Sequence, residues 1–258
     1  MLNHNEYIAL KLSEAIKQNG IIKVGINLND YFNFPDAENY AKQYSQPSTE
    51  QTARQQKSSA DSVLGKLVEE VIIYLLSSYF QTNKFDYIVV NDKNANETVK
   101  YIVNSLKIER RNSHHIKYFD SDILIYNNSN FEDTKRVFIL SAKGTTRERI
   151  GQFLSHLFLM DQDVLNAKYG KNKYEVIFTK ENIKLKYGFV TLDWAVNKDF
   201  SKRNDSGTIR KTVKNTEVQL ILDDVKLGGG IYVLNNMENL DGIGNFASLV
   251  GKICDYLR

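Results

Sequence analysis

Two short runs hold the residues best suited to chemistry. FDSDILIYN carries Asp120 and Asp122; RVFILSAKGTTRERIGQ carries Ser141, Lys143, Thr145, Thr146, Arg147, Glu148 and Arg149. A carboxylate binds a hard divalent cation, and a lysine beside it positions or deprotonates an attacking water. Together they make a phosphodiester-cleaving pair. The Arg-Glu-Arg triplet suits a different task. An arginine fork donates two hydrogen bonds to guanine O6 and N7, while a glutamate accepts from cytosine N4 or braces its arginine neighbours. Taken singly, each feature is as easily inert: an acid before a strand, a lysine after one, a salt-bridging triplet on a surface helix.

These residues need particular elements to bring them together. SDILIYN and RVFILSAK are apolar runs joined by an asparagine-rich loop, the pattern of adjacent buried strands. Side chains alternate along a strand, so Asp120 and Asp122 share one face of the first and Ser141 and Lys143 share one face of the second. Cross-strand neighbours on one face lie close enough to act on one ligand. Thr145 or Thr146 is expected to cap a helix over about 146–163, leaving the arginine pair at its N-terminal end. A helix tip aimed at a major groove is a repeated solution for reading bases.

The constellation resembles the PD-(D/E)XK nuclease superfamily, and within it the type II restriction endonucleases. The residues that match its core motif are Asp122 and Ser141-Ala142-Lys143, with Ser141 standing where a metal-binding carboxylate is usual. The run from Lys143 to Arg149 is similar to the Lys-Thr-Thr-x-Arg-(Asp/Glu)-Arg string of enzymes that read CC/GG sites. Some of these also have a small residue at the serine position and take a displaced glutamate from the following helix. In this chain that region reads IGQFLSHLFLMDQD, where His156 and Asp161 are the nearest candidates. Upstream, Gly65-Lys66-Leu67-Val68-Glu69 is similar to a Gly-x-x-x-Glu pattern whose glutamate points at the active site, which favours Glu69 over Glu70.

The resemblance implies an α/β (α+β) restriction-endonuclease-like fold, a mixed sheet flanked by helices. It implies cleavage of double-stranded DNA at a short, G/C-containing palindrome, with Mg2+ held by Asp122 and Glu69. Lys143 would handle the water, and Thr145, Thr146, Arg147, Glu148 and Arg149 would contact DNA. A palindrome calls for two-fold protein symmetry, so a homodimer is expected, along with a companion methyltransferase protecting host DNA. Two other classes stay open: a nuclease-fold DNA-binding protein without catalysis, and a repair nuclease that reads DNA structure.

The rest of the chain sets limits. At 258 residues it can bury a substantial core, and a net charge of +3 is too small to imply nucleic acid by itself. A lone Cys254 excludes a disulfide framework and a thiolate zinc site and suits the cytoplasm. The N-terminus is amphipathic and charged, unlike a signal peptide. One domain over 1–258 is expected, with an N-terminal helical or mobile arm (about 1–57) and a catalytic core (about 58–180).

Element by element, residues 3–18 should be a helix, IIKVGINL a short strand, and the polar 29–61 segment a mobile arm or loop with one short helix. Ser62–Phe80 has the clearest helical periodicity, with Leu64, Leu67, Val68, Val71, Ile72, Leu75 and Leu76 on one broad face. KFDYIVV, VKYIVNSLKI, KYEVIF, YGFVTLDWAV, EVQLIL and GGIYVL read as strands, and Gly242–Arg258 as an amphipathic helix. Arg110, Arg111, His114 and His115 read as a solvated basic loop able to touch phosphate, as do Lys202, Arg203, Arg210 and Lys211 farther on. Gly228-Gly229-Gly230 reads as a turn and Trp194 as core.

Overall fold

The fold is that of a computed structural model, which describes residues 2–45, 53–110, 116–118, 121–143, 162–171, 174–178, 183–192, 228–234 and 243–258. The helices α1 (His4–Asn19), α2 (Ile21–Ile26), α3 (Phe34–Tyr44) and α4 (Ala53–Thr82) come first, then β1 (Tyr87–Asn91) and α5 (Glu97–Ser105). β2 (Leu106–Arg110), β3 (Ile116–Tyr118), β4 (Ile123–Asn127), the short α6 (Phe131–Thr134) and β5 (Arg136–Lys143) follow. Last come α7 (Gln162–Tyr169), β6 (Tyr174–Phe178), β7 (Lys184–Thr191), β8 (Gly228–Val233) and α8 (Phe246–Leu257). No described helix is long and apolar enough to cross a membrane.

The main sheet has the order β1-β4-β5-β7-β8. Its first three strands are antiparallel neighbours, with Asn91 opposite Ile123 and Ile123 opposite Leu140; β5, β7 and β8 run parallel. Each side of this sheet is covered. On one, Ile123, Ile125, Phe138, Leu140, Ala142 and Val190 pack with α4, α8 and the N-terminal helices. On the other, Leu124, Val137, Ile139, Tyr187 and Phe189 pack with Val99, Ile102 and Leu106. A mixed α/β architecture with helices on both faces of a mixed sheet is therefore observed, as expected. β3, β2 and β6 form a second, antiparallel sheet that the sequence reading did not foresee.

α4 is the backbone of the first layer. Leu67, Val68, Val71, Ile72, Leu75, Leu76 and Phe80 are all at most 1% exposed, each such burial being worth about 1.5–3 kcal/mol against an exposed side chain. The helix is longer than its apolar periodicity, because Ala53-Arg54-Gln55-Gln56-Lys57 are strong helix formers with no glycine or proline until Gly65. Within the polar 29–61 segment, Phe34–Tyr44 and the residues from Ala53 on are therefore helical. Pro35 stands in the first turn of α3, where a missing N–H costs nothing, and Asn33 caps that helix by accepting from Asp36 N–H at 3.0 Å.

Three further expectations are corrected. IIKVGINL is helical: Gly20, at φ +78°, turns the chain out of α1, and Val24 and Leu28 then bury one turn apart. VKYIVNS is α5, started by Asn96 accepting from Thr98 N–H, with Val99 and Ile102 three apart on the buried side. The glycine run is also not a turn. It opens β8, where a Cβ at Gly229 would stand 3.0 Å from Gly188 N and from Tyr187 C, so only glycine lets the two backbones approach. Of the expected helix over 146–163, only 162 and 163 are described, and they open α7. EVQLIL, Trp194 and the 201–215 basic loop lie outside the described residues, as do 111–115 and the side chain of Arg110.

Candidate active site

The start of β4 and the end of β5 meet because the two strands are antiparallel neighbours joined through α6. Extending their register one step beyond Ile123–Leu140 places Asp122 opposite Ser141, with Lys143 two residues on and on the same face. The side chains do converge. Asp122 Oδ2 accepts from Lys143 Nζ at 2.6 Å and from the backbone N–H of Ala142 at 2.7 Å, and more weakly from Ser141 Oγ at 3.4 Å. Asp122 is 9% exposed and Ser141 2%. An acid buried to this degree is costly unless its charge is matched, and the Lys143 ammonium with a main-chain donor does that.

Glu69 approaches from α4. Its pKa is pushed up to about 7, first by burial and next by the negative charge of Asp122, with Lys143 and Lys93 pulling it back and Asp92 raising it further. The neighbouring Glu70 points elsewhere: its Oε2 lies 2.9 Å from His4 Nδ1, tying α4 to α1. One residue of helix rotation therefore separates a group that faces Asp122 and Lys143 from one that fastens the N-terminal helices. Gly65 is exposed, and a Cβ there would meet no described atom within 4 Å. The Gly-x-x-x-Glu likeness thus falls on the glutamate and not on any steric need for the glycine.

The structure brings together Asp122, Ser141 and Lys143, with Glu69 electrostatically coupled to them. Asp120, Thr145, Thr146, Arg147, Glu148, Arg149, His156 and Asp161 lie outside the described residues. Among the described residues no three His, Cys, Asp or Glu side chains already stand as a metal cluster. The donor set nonetheless fits a hard divalent cation: two carboxylates from different elements are close enough for one to oppose the ionisation of the other, a repulsion that a cation between them relieves. The sequence reading missed Asp92 and Lys93, taking their NDKNANET segment only as a turn. The signal was positional, an acid–base pair directly after a strand that pairs with β4.

Comparison with known proteins adds one match. A family model described as BsaWI restriction endonuclease type 2 matches residues 97–250, which takes in β4, β5 and the Arg-Glu-Arg run and leaves α4 outside. No curated protein matches the chain.

Proposed function

Because the chain belongs to the BsaWI restriction endonuclease type 2 family, it is a sequence-specific type II deoxyribonuclease, a hydrolase acting on double-stranded DNA, and we propose that Asp122, Lys143 and Glu69 are its catalytic set. Enzymes of this kind generally use a divalent metal; Mg2+ is the ion proposed here, with Asp122 and Glu69 as ligands. When bound, the ion supplies Lewis-acid stabilisation of charge on the scissile phosphate. The observation that carries this reading is the 2.6 Å contact between Lys143 Nζ and Asp122 Oδ2 at the open end of the sheet.

The residues divide the work by their chemistry. Asp122, fixed by the Ala142 N–H, presents a carboxylate whose orientation is set before any ligand arrives. The Lys143 ammonium, tethered to that carboxylate, orients the attacking water and the phosphate oxygens and compensates the charge developing on them. Glu69, half-protonated near pH 7, takes its charged form when a cation offsets the burial and the repulsion that disfavour it.

Base reading is assigned to the run just after Lys143. Arg147 and Arg149 would donate to guanines, Glu148 would accept from cytosine or brace them, and Thr145 or Thr146 would cap the helix, both threonines contacting DNA. Three residues separate Lys143 from Arg147, which couples recognition to cutting. The proposed target is a short G/C-containing palindrome of the CC/GG group, met by a homodimer, in the cytoplasm.

Plasmid DNA incubated with the protein and Mg2+ tests this directly. Discrete, reproducible fragments whose ends map to one short sequence are expected. Nicks that follow DNA structure, or retarded but uncut DNA, would overturn the assignment.

A further inference from the structure

A nuclease must hold a polyanion, and the end of β1 brings a cation to the place where Asp122 and Lys143 meet. β1 and β4 pair antiparallel with Asn91 opposite Ile123, so one more step in that register sets Asp92 opposite Asp122. The next residue, Lys93, leads out of the sheet at the end where β4 starts and β5 finishes. Asp122 is buried there, whereas Lys93 is exposed. Lys143 is held by Asp122 at 2.6 Å. Among the described residues no acid lies within ion-pair distance of the Lys93 ammonium.

The turn that carries Lys93 is tied down by its own main chain and asparagines. Asn91 accepts from it twice, through Oδ1 from Lys93 N–H at 3.2 Å and through its carbonyl from Asn94 N–H at 3.2 Å. Asn94 Oδ1 then accepts from Asn96 N–H at 3.0 Å. Asparagine side chains that bond two residues on substitute for main-chain turn bonds. With the backbone held on both sides of residue 93, only its side chain has to be ordered when a ligand arrives. The Lys93 charge also draws down the carboxyl of Glu69, across the same opening.

We propose that Lys93 is a DNA-backbone contact of the nuclease, its ammonium taking a phosphate beside the scissile one. This rests on the reading of Asp122 and Lys143 given above, which says where the strand is cut. A DNA strand carries one phosphate charge per about 3.4 Å of axis. A strand with one phosphate at Asp122 and Lys143 therefore brings flanking phosphates over the neighbouring strand end, where Lys93 stands. An ammonium on a flexible stem is a compact point charge, which suits a phosphate better than the planar edge of a base. Such a contact sets the register of the duplex on the protein and carries no sequence information.

Fluorescence anisotropy titrations of the full-length protein, without divalent metal and over a series of salt concentrations, test this. The probes are a duplex carrying the site mapped by plasmid digestion and a scrambled duplex. Lys93→Gln should weaken binding of both by the same factor and lower the slope of log affinity against log salt by about 0.9. Its melting temperature should stay near wild type, and Lys93→Arg should restore both affinity and slope. Lys84→Gln removes the same charge from the exposed turn ahead of β1, at the strand's other end, and should keep the wild-type slope. A neutral methylphosphonate placed in turn at each phosphate flanking the cut should weaken wild type at a position to which Lys93→Gln is indifferent. A wild-type slope in Lys93→Gln, or an equal fall in Lys84→Gln, overturns the assignment but leaves the Asp122–Lys143 reading standing if the wild type cuts plasmid. A loss confined to one duplex, or a lowered melting temperature that arginine does not restore, overturns it as well. Wild-type protein that cuts no plasmid removes the underlying reading itself.

Discussion

Lys143 and Glu69 sit on opposite sides of Asp122 in charge, and they should fail in different ways when changed. Lys143→Ala removes the group proposed to face water and phosphate, so cleavage should fall by about 10²–10⁴-fold while DNA is still retained on a gel. Persistent cutting would take Lys143 out of the mechanism. The same change takes the ammonium partner away from the Asp122 carboxylate, at a cost of about 1–3 kcal/mol in unfolding free energy. Glu69 carries the pH dependence. Its pKa is about 7 in the fold against an ordinary 4.5, so the native state binds its proton more tightly than the unfolded chain does. The metal-free protein should therefore lose stability as pH rises from about 4.5 to 7 and level off above that, whereas Glu69→Gln should flatten this part of the profile. Cation affinity should move the opposite way, rising as the carboxylate ionises. Equal melting profiles for Glu69→Gln and wild type between those limits would show that Glu69 is not held in this environment. At this scale the sequence was informative where residue type and strand alternation suffice, as for Asp122 with Lys143. It was silent where a group is placed by the register between strands distant along the chain, as Asp92 is by β1 and β4.

The helices and strands were legible in proportion to how far local pattern decides them. β4, β5, α1 and α8 follow their periodicity, and α8 buries Phe246, Leu249, Val250, Ile253 and Leu257 as its spacing requires. α2 and α5 did not, because their β-branched residues favour strands locally while tertiary packing selects the helix. In α2 the packing is visible at one atom pair: a Cβ at Gly25 would lie 2.4 Å from Phe246 Cγ and Cδ1. Gly25→Ala should therefore destabilise the protein by roughly 1–3 kcal/mol, although alanine is the better helix former. Pairing it with Phe246→Leu should return part of the loss in a denaturation series. If Gly25→Ala instead raised stability, the close seating of α2 on α8 would be wrong. The second sheet was hidden for a related reason. KYEVIF was legible as a strand and Leu106–Ile108 as the tail of the one expected over VKYIVNSLKI, but the change from helix to strand at residue 106 was not, and no local pattern says which strands pair.

Across the whole molecule the N-terminal helices belong to the same core as the sheet. Tyr7, Ile8, Leu12, Val24, Leu28, Phe32, Ala37 and Tyr40 join α4, α8 and the strands in one buried cluster. The polar run at 29–61 looked like a detachable arm because charged and amide residues dominate it, whereas a few apolar positions at helical spacing determine where it docks. A protein produced from residue 97 onward should aggregate, and limited proteolysis of the intact chain should spare α1 through α4; a soluble, cooperatively melting fragment would contradict this. The shared core also bears on how relatives of this enzyme are to be recombined. The matched segment begins at residue 97, yet the glutamate of α4 and the oily underside of the sheet's cover both lie ahead of it. A specificity cassette lifted at that boundary would carry the run proposed to read bases into a host whose own leading hundred residues must supply a hydrophobic lid and, on the proposed mechanism, an acid. Chimeras should be cut before α1, not after β1.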